Sequence, residues 1–438
     1  MLLKRNYSFI SPSANIDHLV IGAGIVGIAI ARQLKAIQGS TFLVERHDMA
    51  GRETSSRNSE VVHAGIYYPR ESLKTRLCIQ GRKLLYSYCQ KYDIPHRKAQ
   101  KLIVAMSEPQ KKHLEELYKH STSIPNPPGP VPVRLISGKE AMAMEPDLSD
   151  DVSAALHSPE SGIIDAHSLL ERMEAEILEN GDAAVVYGTK VVRIDRSDDG
   201  GTGPKGKRGD TGTDGWIVQT ENDSGERSAI RAKCVINSAG LNAHHLVNQI
   251  LPEAQRKSLY FCKGSYFGYR GPGVSNVKHL IYPCPEPGLA GLGTHLTMNL
   301  ANEIRFGPDV EWLMAPKTKD AEEPDFWAKM LEPNDSRHDA VFAAVKRYLP
   351  GVQRENFTPD YSGIRPKLKP DSKTPEDFSI QHIAPGFINL MGIESPGLTS
   401  CLAIAAYVEQ MLRKEVLGLG VGKGKTISGV GRIDEDWA

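Results

Sequence analysis

The sequence predicts an α/β protein in two parts. One is a parallel sheet flanked by helices and assembled from three separated stretches; the other is an α+β domain on a mostly antiparallel sheet. Three observations predict this. Residues 18–45, HLVIGAGIVGIAIARQLKAIQGSTFLVE, read as strand, glycine turn, small-residue helix, second strand and acid. Residues 232–250, AKCVINSAGLNAHHLVNQI, carry a strand (Cys234–Asn237) that meets Ala239-Gly240 and turns into a helix. Residues 386–415 repeat the pattern at the far end of the chain: strand Phe387–Met391 ends at Gly392, and the turn Glu394-Ser395-Pro396-Gly397 opens a helix. A last strand and helix that rejoin the first make a discontinuous, Rossmann-like domain.

The elements follow in order. Residues 1–15 carry Lys4, Arg5 and three serines with no acid before Asp17, which fits either a mitochondrial transit segment or a short tail. The first cofactor-domain stretch is 16–88. His18–Ile21 is its opening strand and Gly22-Ala23-Gly24-Ile25-Val26-Gly27 the turn that follows. Gly22 permits the tight bend, Gly24 lets backbone approach a pyrophosphate, and Gly27 lets the helix lie close to its strand. The N–H groups at Ile25 and Val26, at the helix start, face the phosphate charge. Thr41–Val44 is the second strand. It ends in Glu45, at the spacing of a ribose hydroxyl acceptor, with Arg46 beside it. Ser55, Ser56, Arg57 and Asn58 offer hydroxyl, guanidinium and amide donors to a pyrophosphate and its sugar chain, although Thr54 or Ser55 could simply cap a helix. His63-Ala64-Gly65-Ile66-Tyr67-Tyr68-Pro69 is too mixed for an ordinary core strand.

Residues 89–151 open the second domain, with a strand at Lys101–Ala105. The cofactor domain resumes over 152–250, with a helix at His167–Glu179 and strands at Ala184–Ile194 (which holds Val192) and Trp216–Thr220. Between the last two, Ser197–Gly215 is glycine-rich and charged and reads as a disordered hairpin tip. Residues 251–362 return to the second domain with strands at Ser258–Tyr269 and Glu303–Phe306. Residues 363–415 complete the cofactor domain, and 416–438 form a Gly/Lys-rich tail.

Composition narrows the function. Lys+Arg and Asp+Glu are each 53, so the basic excess of a nucleic-acid binder is missing. The six cysteines are scattered without CxxC or metal-ligand spacing, which fits free buried thiols and no metal site. No apolar run approaches the ~18 residues of a membrane span, which leaves peripheral membrane contact open. The interrupted domain favours a flavin dinucleotide over NAD, whose domain is usually one contiguous block; an NAD-dependent dehydrogenase is the reading from a different class.

SSRNSEVVHAGIYYPRESLKTRLCIQG (55–81), KGSYF (263–267), GLGTHLT (291–297), FGPDVEW (306–312), DYSGIRPKL (360–368) and INLMGIESPGLTS (388–400) occur in an order that resembles the D-amino-acid-oxidase-like family of FAD-dependent oxidoreductases. Within that family the likeness is to members that oxidise L-2-hydroxyglutarate. It covers nearly the whole chain, and the insert at 197–215 departs from the pattern. The resemblance implies FAD as cofactor and oxidation of L-2-hydroxyglutarate to 2-oxoglutarate by hydride transfer to flavin N5. The other substrate class in the family is amines: glycine, sarcosine or a D-amino acid.

Hydride transfer from a hydroxyl-bearing carbon needs a base, a cation for the α-carboxylate and a polar clamp for the distal one. His63 is the first choice for the base. His295, flanked by Gly291, Gly293 and Thr297, is the rival base or a carboxylate ligand. Arg365 stands where amine-oxidising relatives place an arginine on the substrate carboxylate, and Gly363 precedes it in the same motif. Arg57, Lys74, Lys263 and Tyr266 are candidates for the distal carboxylate. Gly397, Leu398 and Thr399 should present backbone N–H groups to the flavin pyrimidine edge. The sequence leaves open whether a histidine holds the flavin covalently. It also leaves the electron acceptor open (quinone, electron-transfer protein or oxygen) and the compartment, mitochondrial or cytoplasmic.

Overall fold

The structure, a computed structural model, describes residues 8–179, 181–197, 215–285, 293–314, 326–370 and 376–416. Most of the expected insert and C-terminal tail lies outside these residues.

The first sheet has eight strands. Ala14–Ile21 sits at its centre, parallel to Thr41–Val44 on one side and to Arg227–Asn237 on the other. Ala183–Val186 extends the parallel run beyond Thr41–Val44, and Phe387–Met391 pairs in parallel with the end of Arg227–Asn237. The central pairings, residues 19–21, 43–44, 234–237 and Phe387–Met391, are buried on both faces, as central parallel strands must be, whereas Ala183–Val186 is a partly exposed edge. Helices Ile25–Leu34, Leu73–Lys91, Ala166–Leu178 and Gly397–Met411 pack one apolar core against the sheet, and Ala243–Ile250 belongs to a second core that includes Trp216 and Phe387. Leu73–Lys91 meets the start of Gly397–Met411 at Gly81, where a Cβ would stand 2.4 Å from the Thr399 carbonyl. That close approach holds the middle of Leu73–Lys91 against the start of Gly397–Met411, where Thr399 meets the segment that carries His63.

The second sheet has nine strands, antiparallel except where Lys101–Ala105 runs parallel to Leu280–Pro283. A three-stranded sheet of Val61–Val62, Gly162–Ile164 and His96–Arg97 joins the two parts.

Three expected boundaries shift. Ala184–Ile194 is two strands, not one: Gly188 takes φ +58 and turns the chain, so Ala183–Val186 pairs with Thr41–Val44 while Thr189–Arg196 pairs antiparallel with Trp216–Asn222. Ala154–Ser158 pairs with Lys101–Ala105 and so belongs to the second sheet, not to the cofactor stretch assigned from 152. Phe357–Lys367 pairs along its length with Tyr260–Tyr269, which puts Gly363 and Arg365 in the second sheet as well. The ladder runs across residue 363, so the boundary expected there does not hold.

Candidate active site

One cavity of about 1610 Å³ runs from the glycine turn to the second sheet. That exceeds the roughly 300–1,000 Å³ of an ordinary small-ligand pocket. At the turn end, Gly22 takes φ +99 and donates its N–H to the Val44 carbonyl at 2.8 Å. A Cβ on Gly27 would fall 1.9 Å from the Gly22 carbonyl oxygen, so only glycine lets the helix start here. Gly24 precedes the helix with no capping side chain, and Ile25 and Val26 line the cavity with it. The Glu45 carboxylate accepts from the N–H of Ala23 at 2.7 Å and of His47 at 2.9 Å. Each oxygen keeps acceptor capacity for a hydroxyl in the cavity.

The 55–58 loop closes one wall. Ser55 Oγ accepts from the Ile25 N–H at 2.9 Å, and Asn58 spends both ends of its amide locally, on the Ser55 carbonyl and the Glu60 N–H. Both residues line the cavity but hold the loop's shape as placed. Ser56 is a correction: it is exposed, bonded to the Glu53 carbonyl and absent from the lining, because the short helix at Thr54–Ser56 turns it outward. Arg57 lines the cavity, and its Nε is buried without a hydrogen-bond partner among the described residues. Arg46 pairs with Glu53. Val192, Ala239, Gly240, Gly363, Gly392, Gly397 and Leu398 also line the wall.

The closing helix differs from expectation in two ways. Gly397 donates its N–H to the Glu394 carbonyl at 2.5 Å, so that group is taken. Thr399 is fully buried outside the lining; its Oγ1 accepts from the His63 N–H at 3.0 Å and donates to the Val61 carbonyl at 3.3 Å. It anchors the histidine segment.

At the other end stand His63, Tyr266, His295 and Arg365. His63 Nε2 lies 3.2 Å from Ser395 Oγ. Burial holds its imidazole well below the usual histidine range, helped by the charge of Lys101 and by His295. His295 Nδ1 is 3.0 Å from the Gly293 carbonyl. A carbonyl only accepts, so Nδ1 carries the proton and Nε2 keeps its lone pair. Burial pushes the His295 pKa down to about 3, with Lys101 adding to the shift. Tyr266 stacks on Tyr361 at 4.5 Å, and burial raises its phenol to about 12.

Arg365 donates through Nη2 to the carbonyls of Asp309 at 2.6 Å and Lys263 at 3.3 Å, and through Nε to that of Cys262 at 3.4 Å. One edge of its fork is therefore spent on backbone. Nη1, which has no hydrogen bond among the described residues, is left for an anion, so the full two-pronged grip expected from the sequence is reduced.

Two lysine expectations change. Lys263 points away: its Nζ donates to the Glu332 carbonyl at 2.9 Å and it does not line the cavity. Lys74 lines the cavity, but its Nζ is 2.9 Å from Glu394 Oε1, which Lys367 Nζ also meets at 2.8 Å. Burial pushes the Glu394 carboxyl up, and the two ammonium groups outweigh it and hold it below the usual carboxylate range. Sequence reasoning missed Lys367, Ser395, Tyr282 and Lys101. Lys367 sits two residues from Arg365, hence on the same strand face, and Lys101 opens an otherwise apolar strand; both were available signals.

Residues 17–411 match the profile of the DAO family, FAD dependent oxidoreductases. The chain belongs to that family. It is 37% identical over 417 residues to the mitochondrial L-2-hydroxyglutarate dehydrogenase of Arabidopsis thaliana, covering 90% of this chain and 82% of the relative. To the L-2-hydroxyglutarate dehydrogenase of Escherichia coli (strain K12) it is 23% identical, covering 95% and 98%. In fold it is similar to the dithionite-reduced L-α-glycerophosphate oxidase of Mycoplasma pneumoniae with FAD bound, at TM-score 0.75 and 22% identity, covering 97% and 100%. The cofactor is FAD, and the NAD-dependent alternative falls.

The residues present fit that group. The turn at 22–27 is a cradle that side chains would fill, Glu45 is an acceptor held at its mouth, and the orphaned Arg57 Nε awaits an acceptor. Gly22–Gly27 would hold the pyrophosphate and Glu45 the adenosine ribose. No helix among the described residues is long and apolar enough to cross a membrane.

Proposed function

We propose that this protein oxidises L-2-hydroxyglutarate to 2-oxoglutarate. The observation that carries the reading is a neutral imidazole (His295), whose Nε2 has no hydrogen bond among the described residues, sharing the cavity end with a backbone-anchored guanidinium (Arg365). A 2-hydroxy acid needs that pair, a base for its hydroxyl and a cation for its carboxylate; an amine substrate needs no hydroxyl-deprotonating base. The names of the plant and bacterial relatives supply the substrate.

When bound, FAD supplies a two-electron acceptor for the hydride leaving Cα. The chain's own residues do the rest. Arg365, fixed by three carbonyls, presents Nη1 to the α-carboxylate and orients Cα. His295 Nε2 takes the hydroxyl proton, with His63 as the second imidazole at the same end. Lys74 and Lys367 around Glu394 leave one net positive charge for the distal carboxylate, and Arg57 is the further cation on that wall. A dicarboxylate thus meets cations at both ends.

The test is an anaerobic screen of the purified yellow protein. Flavin bleaching by L-2-hydroxyglutarate, and not by glycine, sarcosine or D-amino acids, supports the reading; the reverse order of preference sinks it. Admitting air, then a quinone analogue, then an electron-transfer flavoprotein identifies the acceptor. The plant relative's mitochondrial name also supports a mitochondrial location, which cell fractionation tests.

A further inference from the structure

Three neighbouring strands of the second sheet, Lys101–Ala105, Leu280–Pro283 and His295–Met298, bring Lys101, Tyr282 and His295 into one row. Leu280 pairs with Lys101 in parallel register, which puts Tyr282, two residues on, on the same face as the lysine. Ile281 pairs with Leu296, which sets Tyr282 opposite His295. The side chains follow this register. Lys101 Nζ lies 3.9 Å from the centre of the Tyr282 ring, and the His295 ring stacks on the same phenol at 3.8 Å and 12°. Two groups this close to one ring centre cannot share a face, so the ammonium and the imidazole take opposite sides.

Lys101 is 1% exposed, and no carboxylate lies within ion-pair distance of it among the described residues. A buried ammonium without a counter-ion is costly, and the aromatic face is what it rests on. The Tyr282 hydroxyl is buried with no hydrogen-bond partner among the described residues, and this tyrosine contributes through its ring.

We propose that Lys101 is a positioning residue for the reaction: acting across the Tyr282 ring, its ammonium adds to burial in disfavouring the protonated His295 imidazole, so that Nε2 stays ready for the substrate's hydroxyl proton further into the acid range. The inference rests on the reading of His295 as base. The groups that face the row are Cys78 from the helix Leu73–Lys91, His63, Arg365 from the strand Phe357–Lys367, and the phenols of Tyr67, Tyr68, Tyr266 and Tyr348, which burial raises and keeps neutral. Cys78 is a thiol that burial pushes up to about 12, so it stays neutral beside Lys101. Arg365 acts on His295 in the same direction as the lysine. Burial lowers Lys101 itself to about 7, so its charge is present at acid pH, the range in which the imidazole takes its proton.

The charge and the ring it acts on are about 7–8 Å apart, and at an effective dielectric of about 20 a unit charge at that distance moves a pKa by roughly 1.5 units. The test is the pH profile of kcat/KM for L-2-hydroxyglutarate in the FAD-loaded parent, Lys101→Met and Lys101→Arg. Histidine ¹³Cε1 NMR titrations of the same proteins accompany it, with the His295 signal assigned by its loss in His295→Asn. Lys101→Met should move the acid limb and the His295 titration up by about 1.5 pH units, and Lys101→Arg should bring both back toward the parent. A Lys101→Met limb that superimposes on that of an active parent overturns the inference. A parent inactive on L-2-hydroxyglutarate defeats the substrate reading instead, and an unshifted His295 titration then overturns the Lys101 claim by itself.

Discussion

Replacing Glu394 by glutamine tests the charge balance of the cavity wall without relying on turnover. Its carboxylate is 7% exposed, and the ammonium groups of Lys74 and Lys367, 4% and 13% exposed, both lie on Oε1. The parent cluster carries one net positive charge; Glu394→Gln leaves two buried cations facing a neutral amide. Removing one partner of a buried ion pair typically costs about 3–5 kcal/mol, and a second cation on the same oxygen places this case at the upper end. Lys74→Met removes one cation instead and leaves the neutral Glu394–Lys367 pair, so it should cost less. The assay is thermal and urea unfolding of all three proteins at pH 7, with flavin content recorded. The order of stability should be parent, Lys74→Met, then Glu394→Gln. The gap between parent and Glu394→Gln also has a defined pH dependence. The folded-state pKa of Glu394 is depressed, so its contribution is full above the unfolded value near 4.3 and fades as pH falls through the folded value. A Glu394→Gln protein as stable as the parent at pH 7, or a gap that widens toward acid, would refute the reasoning.

Gly24→Val should purify folded but with little flavin, since the added Cβ meets only Ser55 Oγ, at 3.0 Å, yet stands where backbone must approach phosphate; full flavin content would show that the turn is not the pyrophosphate site. Arg365→Lys keeps the charge but cannot hold three carbonyls and an anion together. It should lower kcat/KM by roughly two to three orders of magnitude with normal flavin content, and parental kinetics would remove Arg365 from the substrate site. His295→Asn should lower kcat by roughly 10²–10⁴-fold with a smaller change in KM. His63→Ala acts beside it, and if it alone abolishes turnover the two histidines exchange roles.

The cofactor half of the molecule was legible because its chemistry is local. A glycine turn, a helix start and an acid at fixed spacing sit within 28 residues (18–45), so one segment carries the whole geometric argument. The domain limits were legible only in part. Ala154–Ser158 and Phe357–Lys367 join the second sheet through partners some 50 to 100 residues away, and no local pattern announces such pairing. The site residues divide the same way. His63, His295 and Arg365 sit in unusual local contexts and all reach the cavity, whereas Lys263 alternates within a strand whose face only tertiary pairing decides. Lys74 was visible as a cation but not as a paired one, since Glu394 lies 320 residues away. Thr399 went unrecognised as an anchor for the same reason: its hydroxyl serves the backbone at Val61 and His63.

The central claim is that a 2-hydroxy dicarboxylate is oxidised in this cavity by base-assisted hydride loss. The most direct measurement is single-turnover, anaerobic stopped-flow bleaching of the flavin near 450 nm (roughly the usual flavin band) with L-2-hydroxyglutarate, its D-enantiomer and sarcosine in parallel, with 2-oxoglutarate quantified after quenching. The account predicts rapid bleaching with the L-enantiomer alone and one 2-oxoglutarate per flavin reduced. Bleaching by sarcosine but not by L-2-hydroxyglutarate, or reduction without 2-oxoglutarate, would contradict it.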